Sequence, residues 1–139
     1  MTTPGTATRI ALLAALAVAC AGCTPEPGHV SEGDVLVVDV FSGRENPQMT
    51  LSADDAEAIN AAIEACGEFT ANPPVRTPAL GFRGFAIQTD VELVVVSADG
   101  VWLTDDDGTS LCEGTAPFDE VLEVVKVHVD DIAALIAPY

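Results

Sequence analysis

Few side chains in this chain are of types and spacings that do chemistry. Asp105-Asp106-Asp107-Gly108-Thr109 sets three carboxylates beside a glycine, the composition with which loops fold oxygens around Ca²⁺. Aligning Gly108 with the glycine of an EF-hand loop puts Leu103 at the first ligand position and Gly114 at the last, where acids are required. The match fails, so the expectation is a solvated turn, with Asp105 and Asp107 as weak Ca²⁺ candidates. Arg44, in Phe41-Ser-Gly-Arg-Glu-Asn-Pro47, and Arg83, in Leu80-Gly-Phe-Arg-Gly-Phe85, are candidate ligand-binding residues. In such glycine-flanked loops a guanidinium and nearby backbone N–H groups can share a carboxylate or phosphate. Their competing use is pairing with the protein's own Asp and Glu side chains.

Catalytic sets are scarce. The sequence holds no Gly-x-Ser-x-Gly elbow, no His-Glu-x-x-His and no glycine-rich phosphate loop before a helix. Of the two histidines, His29 lies in a Pro/Gly-rich stretch and reads as solvated. His128 stands near Asp130 and Asp131, but no nucleophile accompanies them. No catalytic residue, metal set or cofactor is assigned. Paired-carboxylate chemistry stays open, because 22 acids form pairs by chance.

Those 22 acids face only 5 basic residues, a net charge of −17. A surface of that sign repels phosphate and releases no counterions, which argues against nucleic-acid partners. It equally disfavours adhesion to anionic lipid, which needs Lys/Arg clusters. Membrane association would need another source.

The N-terminus offers one. Met1 to Arg9 is polar with a single positive charge, and Ile10 to Ala19 is wholly apolar. Ten helical residues reach about 15 Å, half a bilayer core, so the run suits a secretory signal rather than a span. Leu16-Ala-Val-Ala-Cys20 follows directly and resembles the bacterial lipobox. That resemblance implies cleavage before Cys20, a diacylglyceryl group on its sulfur, and a membrane partner reached through the lipid. Ala21-Gly22-Cys23 is the alternative site, but Cys20 then occupies a position where an aliphatic residue is usual. Two or three acyl chains on one cysteine anchor durably, where a single chain holds only marginally. The expected division is a signal peptide over 1–19, a tether over 20–33 and one globular domain over 34–139. Extended, the tether spans at most about 45 Å.

Positioning elements follow from period and punctuation. Val35 to Phe41 is β-branched and apolar on both faces, an inner strand. Ser52 caps a helix over 53–66, with Asp55 in the capping-box position, Ala56, Ile59, Ile63 and Cys66 on one face, and Gly67 as the stop. Residues 85–89, 92–97, 101–104 and 110–113 read as strands, with Asp99-Gly100 as a hairpin turn. Phe85 and Trp102 are expected in the core. Residues 117–126 lean to helix over strand, and 130–137 read as helix. The composite is an α+β domain: an antiparallel or mixed sheet of four to five strands with two or three helices on one face. In an exported domain, Cys66 and Cys112 imply a disulfide closing a loop of about 45 residues, worth about 4 kcal/mol.

The runs around Arg44 and Arg83, with Leu51-Ser52, resemble a pattern in small uncharacterised exported bacterial proteins, which brings no activity with it. The functional expectation is a membrane-anchored extracytoplasmic binding module for a protein or small ligand. The alternatives are a surface enzyme using paired carboxylates, or a protease inhibitor presenting loop 68–80 or 42–50.

Overall fold

A computed structural model describes residues 27–41, 43, 45–75, 81–130 and 132. The leader over 1–19, Cys20, Cys23, Arg44 and most of the helix expected over 130–137 lie outside them. In chain order the elements are β1 (Val35–Phe41), β2 (Gln48–Thr50), α1 (Ala53–Cys66), β3 (Thr70–Ala71), β4 (Gly81–Gln88), β5 (Leu93–Ser97), β6 (Gly100–Asp105), β7 (Gly108–Glu113) and α2 (Ala116–His128). The strands form one antiparallel sheet in the order β2-β1-β4-β5-β6-β7-β3.

The architecture is the expected α+β class, but the sheet has seven strands rather than four to five, and the described residues hold two helices. The five inner strands are those legible in the sequence. The extra two, β2 and β3, are edge strands of 3 and 2 residues, too short to show alternation. Their neighbours impose them: Leu36 pairs with Met49 and Leu111 with Thr70.

Residues alternate across the sheet, and one face is sealed by the helices. Leu36, Val38, Phe85, Ile87, Val94, Val96 and Val101 point to that face and are fully buried. From α1 they meet Ile59 and Ile63, and from α2 Val121 and Val125, one turn apart. The β-branched run in α2 therefore yields to packing, since propensity is a weak prior beside a buried stripe. α1 matches its expected bounds, and both bonds of the capping box form between Ser52 and Asp55. Cys66, at the end of α1, is disulfide-bonded to Cys112 on the helix-facing side of β7, with Cα atoms 6.2 Å apart.

Two glycines correct the strand boundaries. β4 starts at Gly81 rather than at Phe85, because Gly84 (φ 134°) forms a bulge opposite Asp39 and Val40. A Cβ there would run into the backbone carbonyl of Val96. The bulge puts Phe82 and Phe85 on one face, where with Phe118 they form a trio of rings 5.2–5.9 Å apart. Gly100 belongs to β6 and pairs with Ser97, so the hairpin turn is Ala98-Asp99, one residue earlier than expected.

Packing also begins before Asp34, the boundary read from the sequence. Val30 is 1 % exposed and belongs to the core. Its backbone N–H and C=O bond the Asn60 amide, each at 2.8 Å. Gly28 donates its N–H to the buried carboxylate of Glu92, against Ile63 and Leu103.

Candidate functional site

The opposite face of the sheet carries no helix among the described residues, and an apolar row crosses it. Strand register places Val37, Ala86, Val95, Trp102 and Leu111 in one row across five strands. All but Leu111 are half-buried, where their counterparts one residue along are sealed beneath the helices. The expectation that Phe85 and Trp102 both pack in the core therefore holds for Phe85 alone. Trp102 is turned outward between Val101 and Leu103, both of which face the helices.

Beyond the row, the chain folds back over this face. β3 continues one residue past Ala71, where the Asn72 N–H donates to the Thr109 carbonyl at 3.0 Å. Pro73-Pro74-Val75 then stands over β6 and β7. Two prolines suit this position because their fixed φ and missing N–H leave no strand donor unsatisfied. Beneath them is a groove of about 330 Å³ whose floor is Val95, Trp102, Thr104 and Thr109. A second hollow of about 320 Å³ lies on the other side of the prolines, with Glu68, Leu111 and Glu113 in its walls.

Two of the side chains that line the groove stand out. The Trp102 indole nitrogen is buried with no acceptor among the described residues, and such an unmade bond costs about 1–3 kcal/mol. Val75, on the lip, is 94 % exposed and adds aliphatic surface there. Sequence reasoning missed Trp102 as a site residue. Pairing Val94-Val95-Val96 with Val101-Trp102-Leu103 about the turn would have found it, since alternation forces Trp102 beside Val95.

The sequence-derived candidates lie elsewhere or are occupied. The Arg83 guanidinium contacts Asp39 Oδ1 at 3.0 Å, and Asp39 also accepts from the Asn46 side-chain amide at 3.4 Å. The Asn46 carbonyl accepts the Val40 N–H, covering the β1 edge beyond β2. Arg83 is thus held by the protein's own carboxylate. Asp105 Oδ1 accepts the N–H groups of Asp107 and Gly108 at 2.8 and 3.0 Å, shaping the turn between β6 and β7. Asp106 and Asp107 stay exposed, and among the described residues no three metal-binding side chains converge.

His128 does not join Asp130. Its Nε2 meets Asp55 Oδ1 at 3.2 Å, linking the end of α2 to the first turn of α1. Burial pushes the Asp55 pKa up. Hydrogen bonds from the Ser52 hydroxyl and amide, with His128 beside them, more than offset this and hold it below the usual carboxylate value. The Asp55 carboxylate is therefore a helix cap with a histidine partner.

Comparison with protein families, with curated proteins and with solved structures finds no match for this chain.

Proposed function

We propose that the protein is a lipid-anchored extracytoplasmic binding module, acting through the helix-free face of its sheet. The anchor rests on the leader and on the likeness of Leu16–Cys20 to a lipobox, with Cys20 acylated and Cys23 the alternative. The Cys66–Cys112 disulfide agrees with an oxidising compartment. The binding role is carried by one observation: an apolar row that includes Val95 and Trp102 borders a groove of about 330 Å³ outside the core. A protein or small ligand seated there would cover apolar surface that the domain's own helices leave open.

Feeding the host a labelled fatty acid tests the anchor. Label is expected on the protein and is lost in Cys20→Ser; a chain without label in either form removes it. The binding face is tested by Trp102 emission, because Trp102 is the one tryptophan in the chain. Fractions of extracellular medium that shift this emission should fail to do so in Val95→Lys, which places an ammonium in the floor. An identical response from the variant would move the binding surface elsewhere.

A further inference from the structure

The hollow beyond Pro73 and Pro74 holds a bond that solution chemistry can break and remake: Cys66 and Cys112 both stand in its wall. Its volume of about 320 Å³ is about ten times that of a water molecule, room for a small thiol. The two cysteines are not equally open. Cys112 is 2 % exposed, whereas Cys66, at the end of α1, is half-buried. Gly114 faces the Cys66 sulfur without a side chain. A Cβ there would stand 3.8 Å from that sulfur and, beyond its own chain neighbours, within 4 Å of nothing else.

Charge around the bond has one sign. Beside the cysteines, the ionisable side chains that line the hollow are Glu68 and Glu113, both exposed, and no Lys, Arg or His lines it. The chain as a whole carries 22 acids against 5 bases. Thiol–disulfide exchange needs a thiolate, so every attacker brings one negative charge at its sulfur. A second negative charge on the attacker adds to the repulsion, and a positive one cancels it.

We propose that Cys66 is a site of reversible S-thiolation, open to small thiols whose free end is neutral or cationic and barred by charge to anionic ones. A thiolate attacks the Cys66 sulfur, and a new S–S bond forms there as the bond to Cys112 breaks. The electron pair leaves on the Cys112 sulfur, which takes a proton from water. A second thiolate then attacks the sulfur of the first thiol and releases it as a symmetrical disulfide, with Cys66 left as a thiolate. Two thiols are oxidised and the protein bond is reduced by two electrons. Until that second step, Cys112 can attack Cys66 in turn, expel the thiol and restore the bond. Stability is what the exchange controls, because the link between residues 46 apart is open while the adduct lasts.

The test uses the full chain and three thiols alike but for their end group: cysteamine, 2-mercaptoethanol and 2-mercaptoethanesulfonate. Each rate is divided by that thiol's rate on an uncharged small disulfide at the same pH, which removes differences in thiolate fraction and nucleophilicity. In low salt the normalised rates should fall in the order given, about tenfold between the ends, and converge in high salt. Glu68→Gln with Glu113→Gln should raise the sulfonate rate about two- to fivefold and leave cysteamine, whose thiolate carries no net charge, nearly unchanged. Acid quenching, alkylation and peptide mapping should find the thiol on Cys66 and the alkyl group on Cys112, with Trp102 emission native until the quench. Equal normalised rates in low salt overturn the charge barrier. Thiol carried on Cys112 overturns Cys66 as the site. Rates that level off as thiol concentration rises mean that the bond is reached only when the domain opens, and overturn the hollow as the route.

Discussion

Removing the Cys66–Cys112 bond should cost more stability than any single side-chain truncation on the surface. The bond joins residues 46 apart in sequence. In the chain-entropy model a closed loop of that length removes about 13 cal/mol/K from the unfolded ensemble, or about 4 kcal/mol at room temperature. A small domain has only about 5–15 kcal/mol in total. The Cys66→Ser/Cys112→Ser double variant is therefore expected to lose a large share of it. Urea titration followed by Trp102 emission gives the midpoint and slope for both proteins. The expected result is a midpoint lowered by an amount equivalent to about 3–4 kcal/mol, with a steeper slope because the unlinked chain exposes more surface on unfolding. The native emission itself should hardly change, since Cys112 faces α1 and Trp102 faces the other way. Agreement of the two midpoints within about 1 kcal/mol would refute the reasoning: either the bond does not form in the protein, or the unfolded chain is already constrained without it.

Four further outcomes follow from the packing. Gly84→Ala drives a Cβ into the Val96 carbonyl at a φ of 134°; it should destabilise by about 2 kcal/mol or more, read from chemical melts, and disturb the Phe82–Phe85–Phe118 cluster. Val30→Ala empties a fully buried position and should cost about 2 kcal/mol, while a cost near zero would show that residues 27–30 do not pack. Ser52→Ala removes the cap of α1 and should cost about 1 kcal/mol near neutrality. Because the Asp55 pKa lies below its unfolded value, that carboxylate stabilises the fold above the ordinary carboxylate range and loses its effect as pH falls through the folded pKa. Asp55→Asn should therefore flatten this part of the acid limb of stability, measured as melting temperature against pH.

The sequence revealed those elements whose local signals agree with their packing. α1 was readable from end to end because cap, stripe and stop point the same way. The five long strands were visible through their β-branched runs. What escaped was decided by neighbours. β2 and β3 exist because β1 and β7 offer edges to pair with, and nothing in three or two residues announces that. The N-terminal part of β4 was hidden by glycines that normally break strands, although Gly84 serves here as a bulge. Arg83 could be singled out by its type, but the partner that holds it, Asp39, lies 44 residues away. Trp102 was misplaced because an aromatic in a strand was read by type, whereas the register of β5 against β6 determines its face.

The clasp formed by Gly28 with Glu92 and by Val30 with Asn60 has a consequence for how the domain meets its surroundings. If lipid is carried by Cys20, seven peptide units separate it from Pro27, a reach of at most about 25 Å instead of 45 Å. A body of this size has a radius of gyration near 13 Å, so under that anchor it could not swing through all orientations above a bilayer. The clasped corner would then stay nearest the headgroups, and a visiting molecule would meet a restricted range of approach angles. Lengthening the leash with inserted Gly-Ser repeats would relax that restriction without altering the fold.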